Sequence, residues 1–133
     1  MLDFSSLNKA LNSLKKGYQR AINNRDDEEL RDAVIQRFEY TFELSYKMLK
    51  RQLELTVAIP EKIDSLSFRE LLREGAEKSY IKNVEEWFFY RELRNMTSHT
   101  YDEDKAEHVF DNIESFIIAA EDLLNNLTRN HSV

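Results

Sequence analysis

A chain of 133 residues with no cysteine is long enough to bury a core unaided, and it excludes both a disulfide framework and a thiolate metal site. Two glycines and one proline are too few to punctuate sheets and tight turns, which leaves long helices. The net charge of −6 resides wholly in the last third, since residues 1–100 carry 17 acidic and 17 basic side chains and residues 101–133 carry 8 and 2, and this argues against a protein that grips duplex DNA through a basic face.

Phe4, Leu7, Leu11, Leu14, Tyr18 and Ile22 recur at intervals of three and four, laying one apolar stripe on a first helix that ends near Asn23 to Arg25. Gly17 inside it costs ~1 kcal/mol against alanine, so the close approach of a neighbouring helix is its expected return. Asp26 with Glu29 signals the start of a second helix, whose stripe runs through Leu30, Val34, Phe38, Phe42, Leu49 and Leu53, with polar Ser45 in the remaining slot. Ile35, Tyr40, Leu44, Tyr46 and Met48 lie off that stripe. Helix two is therefore either central in its own bundle or carries a second interface.

Pro60 marks the following connection, and Ser67-x-x-Glu70 reads as a capping box for a short helix that ends near Gly75. Asn83 with Glu86 starts a segment whose Trp87, Phe88, Phe89 and Tyr90, at ~100° per residue, point to nearly all sides. One core cannot receive all four, so some are expected to meet another segment or a second subunit, and a homodimer is the expected assembly. Asp104 and Glu107 precede Ala106, Phe110, Ile113, Ile117, Ala120, Leu124 and Leu127, read as one final helix, with the tail from Thr128 to Val133 fraying. The fold expected is all-α: an antiparallel, up-and-down four-helix bundle with a short extra helix, one domain over residues 1–133. No apolar run approaches the ~20 residues of a membrane span, and Met1 to Lys16 lacks the features of a secretory signal, so no membrane partner and a cytoplasmic location are expected.

Only Arg91 to Asp102 is polar, aperiodic and set between two strongly helical segments. Within it, Arg94, His99 and Tyr101 supply a guanidinium, an imidazole and a phenol, groups able to bind a phosphate and move protons around it. In a continuous helix Arg94 and His99 stand ~140° apart, so their convergence requires the helix to end near Thr97 or Ser98. Thr97, Ser98 and Thr100 favour such a break. Each residue also has a plainer use: Arg94 pairing with Glu92, Asp102 or a helix C-terminus, His99 capping carbonyls, Tyr101 burying its ring to anchor the loop.

Arg94-Asn95-Met96-Thr97-Ser98-His99 resembles the motif of the HEPN superfamily, arginine and histidine separated by four positions with a polar residue after the arginine, and the string to Tyr101 is similar to the R-x4-H-x-Y form of HepT-like toxins. Val34-Ile35-Gln36-Arg37-Phe38-Glu39-Tyr40-Thr41-Phe42-Glu43-Leu44 resembles the helix-two signature of the nucleotidyltransferase substrate-binding protein family, and Trp87 ahead of Arg94 also fits. The resemblance extends from about Leu7 to Leu124. It implies a bundle that pairs with a separately encoded minimal nucleotidyltransferase, usually as toxin and antitoxin, and a dimer in which both motifs face one cleft. It further implies metal-independent RNA cleavage with His99 moving protons, Arg94 stabilising the phosphorane and Asn95 holding the phosphate or orienting His99. Tyr101 would position the site or accept a nucleotide from the partner, which would use ATP and Mg2+, while this chain needs no cofactor of its own. The family's other description makes the bundle a non-catalytic substrate-binding or nucleotide-binding subunit.

The remaining polar residues read as structural. His108 between Asp104 and Asp111 lacks a fourth ligand for a metal, His131 lies in the tail, and the acidic runs Asp26 to Glu29 and Asp102 to Asp104 suit helix starts. Residues 69–94 balance six basic against six acidic side chains, so no broad electropositive approach is visible in the linear chain. The Gly-rich phosphate loop, the Ser-His-Asp order and cysteine-based zinc spacing are all absent.

Overall fold

The computed structural model describes residues 2–129, and His131 lies outside them. Helices α1 (Ser5–Ile22), α2 (Glu28–Thr56), α3 (Glu61–Asp64), α4 (Phe68–Glu77), α5 (Val84–Met96), α6 (Glu103–Asp111) and α7 (Ile113–Arg129) follow in order, with a 3-10 turn over Thr97–His99 between α5 and α6. Cross-helix pairs define the topology. Residue numbers fall on α1 as they rise on α2, from Arg37 with Ser13 to Thr41 with Ala10, and the same inverse order relates α2 to α5 through Glu43 with Arg94 and Glu39 with Thr97. α1, α2, α5 and the α6–α7 pair thus form the up-and-down bundle, and α3 and α4 are the extra helical segment.

Capping chemistry sets the boundaries. Ser67 and Glu70 form the reciprocal box, and Asn83 accepts from Glu86 N at 3.2 Å, as the sequence suggests. Two starts shift. Asp27, not Asp26, caps α2, accepting from Leu30 N, and Asp102, not Asp104, caps the helix after the polar stretch, accepting from Asp104 N and Lys105 N. The final helix is not continuous either: Asn112 donates its side-chain amide to His108 O at 2.8 Å and separates α6 from α7, a local break that an apolar stripe does not register. Thr128 and Arg129, expected to fray, are the last residues of α7.

α4 runs two residues past Gly75 and ends in a Schellman motif, with Ser79 N bonded to Ala76 O at 3.0 Å and Tyr80 N to Gly75 O at 2.9 Å. Ser79 takes φ 67° to close it, a left-handed conformation that costs a side-chain-bearing residue ~1 kcal/mol. Ser79→Gly should therefore raise the unfolding free energy by ~0.5–1 kcal/mol in urea titration, and a lower stability would refute that origin of strain. Gly75 serves packing instead, since an added Cβ would lie 3.1 Å from Leu49 Cδ2. Gly17 likewise makes room for a side chain and not for a helix backbone: its missing Cβ leaves space for Arg37, whose guanidinium donates to Ser13 O at 2.7 Å.

At the centre, Phe38 meets Phe116 edge-on at 4.8 Å, and Tyr90 meets both Phe116 at 5.2 Å and Trp87 at 5.6 Å. Burial, and then the Glu86 carboxylate accepting its hydroxyl proton at 2.6 Å, push the Tyr90 phenol above its ordinary range. The four consecutive aromatics all find partners within the chain. Trp87 and Tyr90 enter the core, Phe88 lies against Phe68 at the start of α4, and Phe89 meets His108 of α6 at 5.9 Å. They therefore do not require a second subunit, because the extra helix and the bent last helix cover the sides that four long helices leave open. Ser45 is fully buried and donates to Thr41 O at 2.8 Å, which satisfies its hydroxyl inside the core.

Candidate functional site

α5 ends at Met96 and tightens into the 3-10 turn, so the break expected near Thr97 or Ser98 is present. Thr97 is buried, with its hydroxyl 2.6 Å from both Glu39 Oε2 and the Arg94 carbonyl oxygen, so that its one proton can be donated to either. One turn along α2, Glu43 Oε1 accepts from Arg94 Nε at 2.6 Å. The Arg94 and Glu43 side chains remain 38% and 51% exposed, so this pair contributes at most ~1 kcal/mol to stability and acts chiefly to orient the guanidinium. Arg94 thus turns to Glu43 and not to Glu92 or Asp102.

Beyond the turn, His99 Nδ1 lies 2.8 Å from the Tyr101 hydroxyl. Tyr101 is 83% exposed, so it does not anchor the loop by burying its ring. The next segment is fastened by Arg31, a buried arginine of α2 that binds Glu103, Glu107 and Asp32. Burial opposes the charge on Arg31, but these hydrogen bonds outweigh it and raise its pKa above the guanidinium norm. The turn bearing His99 and Tyr101 is consequently held at both ends by α2.

Arg94 and Asn95 share a groove of about 500 Å³ with Phe42, Tyr46, Phe68 and Arg91. His99 and Tyr101 form a second, exposed pair, and among the described residues no hydrogen bond joins the two pairs. The sequence motif therefore supplies two adjacent half-sites. The residues that hold them, Glu39, Glu43 and Arg31, carry no role in the sequence reading. Glu39 and Glu43 lie four residues apart, one helical turn, within the Val34 to Leu44 string, and Arg31 falls on the buried side of α2, but on a helix this rich in charge neither feature stands out.

No cluster of three or more histidine or acidic side chains able to hold a metal occurs among the described residues. His108 instead meets Phe89, and no helix among these residues is long and apolar enough to cross a membrane.

Comparisons with known proteins agree with this architecture. A relative from Haemophilus influenzae named Probable ribonuclease HepT is 42% identical over 94 residues, which are 71% of this chain and 64% of that protein. The match thus spans less than two thirds of the curated relative. A solved Haemophilus influenzae structure, described as the fold of a substrate binding domain of a nucleotidyltransferase, superposes with a TM-score of 0.90 at 33% identity, covering 95% of this chain and 99% of that one. A crystal structure from Thermus thermophilus gives a TM-score of 0.75 at 29% identity over 91% and 98% of the two chains. The family model for nucleotidyltransferase substrate binding protein like sequences matches residues 2–129, and with that match and these relatives the chain belongs to the HepT-like nucleotidyltransferase substrate-binding family.

Proposed function

We propose that this chain is the companion of a separately encoded minimal nucleotidyltransferase, that it cleaves RNA without a metal as the toxin of the pair, and that its partner silences it by adenylylating Tyr101. The observation that carries this reading is the 2.8 Å contact between His99 Nδ1 and the exposed Tyr101 hydroxyl, one turn beyond an arginine held by Glu43. A capping histidine would face backbone carbonyls and an anchoring tyrosine would bury its ring; here the half-buried His99 faces Tyr101, whose ring stands in solvent.

When Nδ1 carries the proton and donates to Tyr101 Oη, Nε2 keeps a lone pair aimed away from the phenol. Nε2 then accepts the proton of a ribose 2′-hydroxyl as that oxygen bonds to the neighbouring phosphorus. The bond from phosphorus to the 5′-oxygen breaks, the leaving oxygen takes a proton, and the products are a 2′,3′-cyclic phosphate and a 5′-hydroxyl. The Arg94 guanidinium and the Asn95 amide stabilise the charge on the phosphorane. One imidazole cannot be base and acid in a single step, so the leaving-group proton comes from His99 of a second copy.

The surface proposed for that copy is on α2, where Tyr40, Leu44 and Tyr46 with Lys47 and Lys50 border a depression of about 660 Å³. Glu43 and Tyr46 line both this depression and the Arg94 groove, so a second copy seated here adjoins the site. Light scattering should give twice the 15.9 kDa chain mass at micromolar concentration. A stable monomer would remove the composite site.

Digestion of single-stranded RNA in excess chelator, with analysis of the ends, tests the chemistry: cyclic phosphate and 5′-hydroxyl ends support it, and intact RNA refutes it. Expression without the partner should arrest growth. The second reading, a non-catalytic subunit that holds substrate or nucleotide for the transferase, is favoured by the likeness to the Haemophilus influenzae substrate binding domain. It requires harmless expression and a partner that is inactive alone.

A further inference from the structure

The balance of six basic and six acidic side chains over residues 69–94 does not survive folding as a uniform surface. Arg69 Cζ lies 4.2 Å from the centre of the Phe88 ring with Arg73 at 5.9 Å, and Arg91 Cζ lies 4.2 Å from the centre of Phe68. Phe68 in turn stacks on Tyr46 at 5.2 Å with 27° between the rings. α4 and α5 thereby gather three guanidinium groups onto two phenylalanines.

A guanidinium lying on a ring spends its face on the contact and keeps its in-plane N–H groups for other acceptors. Among the described residues neither Arg69 nor Arg91 has a hydrogen bond or a carboxylate ion pair, although Arg31 and Arg94 both have them. Both arginines are exposed, so their ten N–H donors face solvent and are open to a ligand. The place also matters. The Arg94 groove and a smaller depression of about 230 Å³ that reaches Arg69 and Phe88 share Phe68, Arg91 and Asn95 as a common wall, so the arginine-aromatic face runs into the candidate site, with Glu92 as the one carboxylate lining the smaller depression and Glu43, already paired with Arg94, the one in the groove.

We infer that this α4–α5 face is a track that leads single-stranded RNA to Arg94. Arg91 and Arg69 hold successive phosphates through their outward edges, while the half-buried Tyr46 ring and the guanidinium faces turned away from Phe68 and Phe88 offer stacking surface to the bases. A duplex hides the faces of its bases and gains nothing from such a surface, whereas an unpaired strand gains at each nucleotide. The track reads no base edge and accepts many sequences. It rests on the RNA reading above, but its occupancy can be measured without cleavage.

The experiment follows binding of a fluorescent single-stranded RNA 12-mer to the full His99→Ala chain by anisotropy, across a salt series. Arg69→Ala with Arg91→Ala should weaken binding about tenfold at fixed salt and reduce the slope of log K against log salt by ~1.4, the release expected for two phosphates on a single strand. Arg91→Lys, which keeps the charge without the flat stack, should retain the slope and lose part of the affinity. Unchanged affinity and slope in the double alanine variant, with its melting curve intact, would overturn the track even where the wild-type chain cuts RNA. Arginine-dependent binding by a chain whose wild type cuts nothing would sustain the track and refute the cleavage reading alone. Free ATP that displaces the RNA, and whose own affinity falls equally in the double variant, would make the occupant a mononucleotide and overturn the strand.

Discussion

His99→Ala should lower metal-independent RNA cleavage by a factor of ~10³ or more while leaving the melting curve within error of wild type, because the step loses its proton carrier. The imidazole lies on a 3-10 turn outside the apolar stripes, and its one recorded polar contact is to the exposed Tyr101 hydroxyl, so its removal leaves no buried group unpaired. Arg94→Ala should cost ~10²–10³ in rate, the usual loss when one oxyanion donor is removed, with little change in stability since its pair with Glu43 is half-exposed. Cleavage rates on a defined RNA, paired with thermal melts, separate chemistry from folding. Equal rates in wild type and both variants would move the assignment to the non-catalytic subunit.

Tyr101→Phe should abolish the mass added when the chain is mixed with its partner transferase, ATP and magnesium, and should reduce RNA cleavage only several-fold. The two effects differ because the hydroxyl has two uses. As acceptor of an adenylyl group its oxygen attacks the α-phosphorus of ATP, pyrophosphate departs, and the phenolic proton passes to a carboxylate of the partner. As neighbour of His99 Nδ1 at 2.8 Å it holds the imidazole in one tautomer and orientation, a help but not a requirement for proton transfer. Once esterified, that oxygen is a poor acceptor and carries a phosphate beside the imidazole, so modification removes the orienting bond and places negative charge where the RNA phosphate would sit. Intact-protein mass spectrometry decides the first use, and the cleavage rate of the unmodified variant decides the second. Equal added mass on the phenylalanine variant would place the acceptor elsewhere.

Much of the bundle is written in local chemistry. The stripes of α1 and α2 step by three and four, Ser67 with Glu70 and Asn83 with Glu86 announce their helices, and Thr97 and Ser98 end α5 because short hydroxyl side chains compete for backbone groups. Such signals act over a few residues and need no tertiary partner, which is why helix class and the position of the polar turn follow from the sequence. Arg94, His99 and Tyr101 were legible as candidates from the polar, aperiodic stretch that holds them, whereas Asn95 and the individual roles came through resemblance alone.

The rest depends on which surfaces meet. Four successive aromatics suggest a missing subunit until α4 and the bend at Asn112 cover their outer sides. Arg94 has acidic neighbours in sequence at Glu92 and Asp102, yet its carboxylate is Glu43, 51 positions away, brought alongside by the antiparallel packing of α2 on α5. Within a balanced run of charges, packing unites Arg69 with Phe88 and Arg91 with Phe68, pairs that are distant in sequence. The sequence by itself determined the helical class, the caps at Ser67 and Asn83 and the location of the polar turn, all set by interactions within one or two turns of chain, while the caps of α2 and α6 and the break at Asn112 differed from its local pattern. Only the tertiary structure decided which partner each charged group would have, because that choice rests on contacts between distant segments that no local pattern encodes.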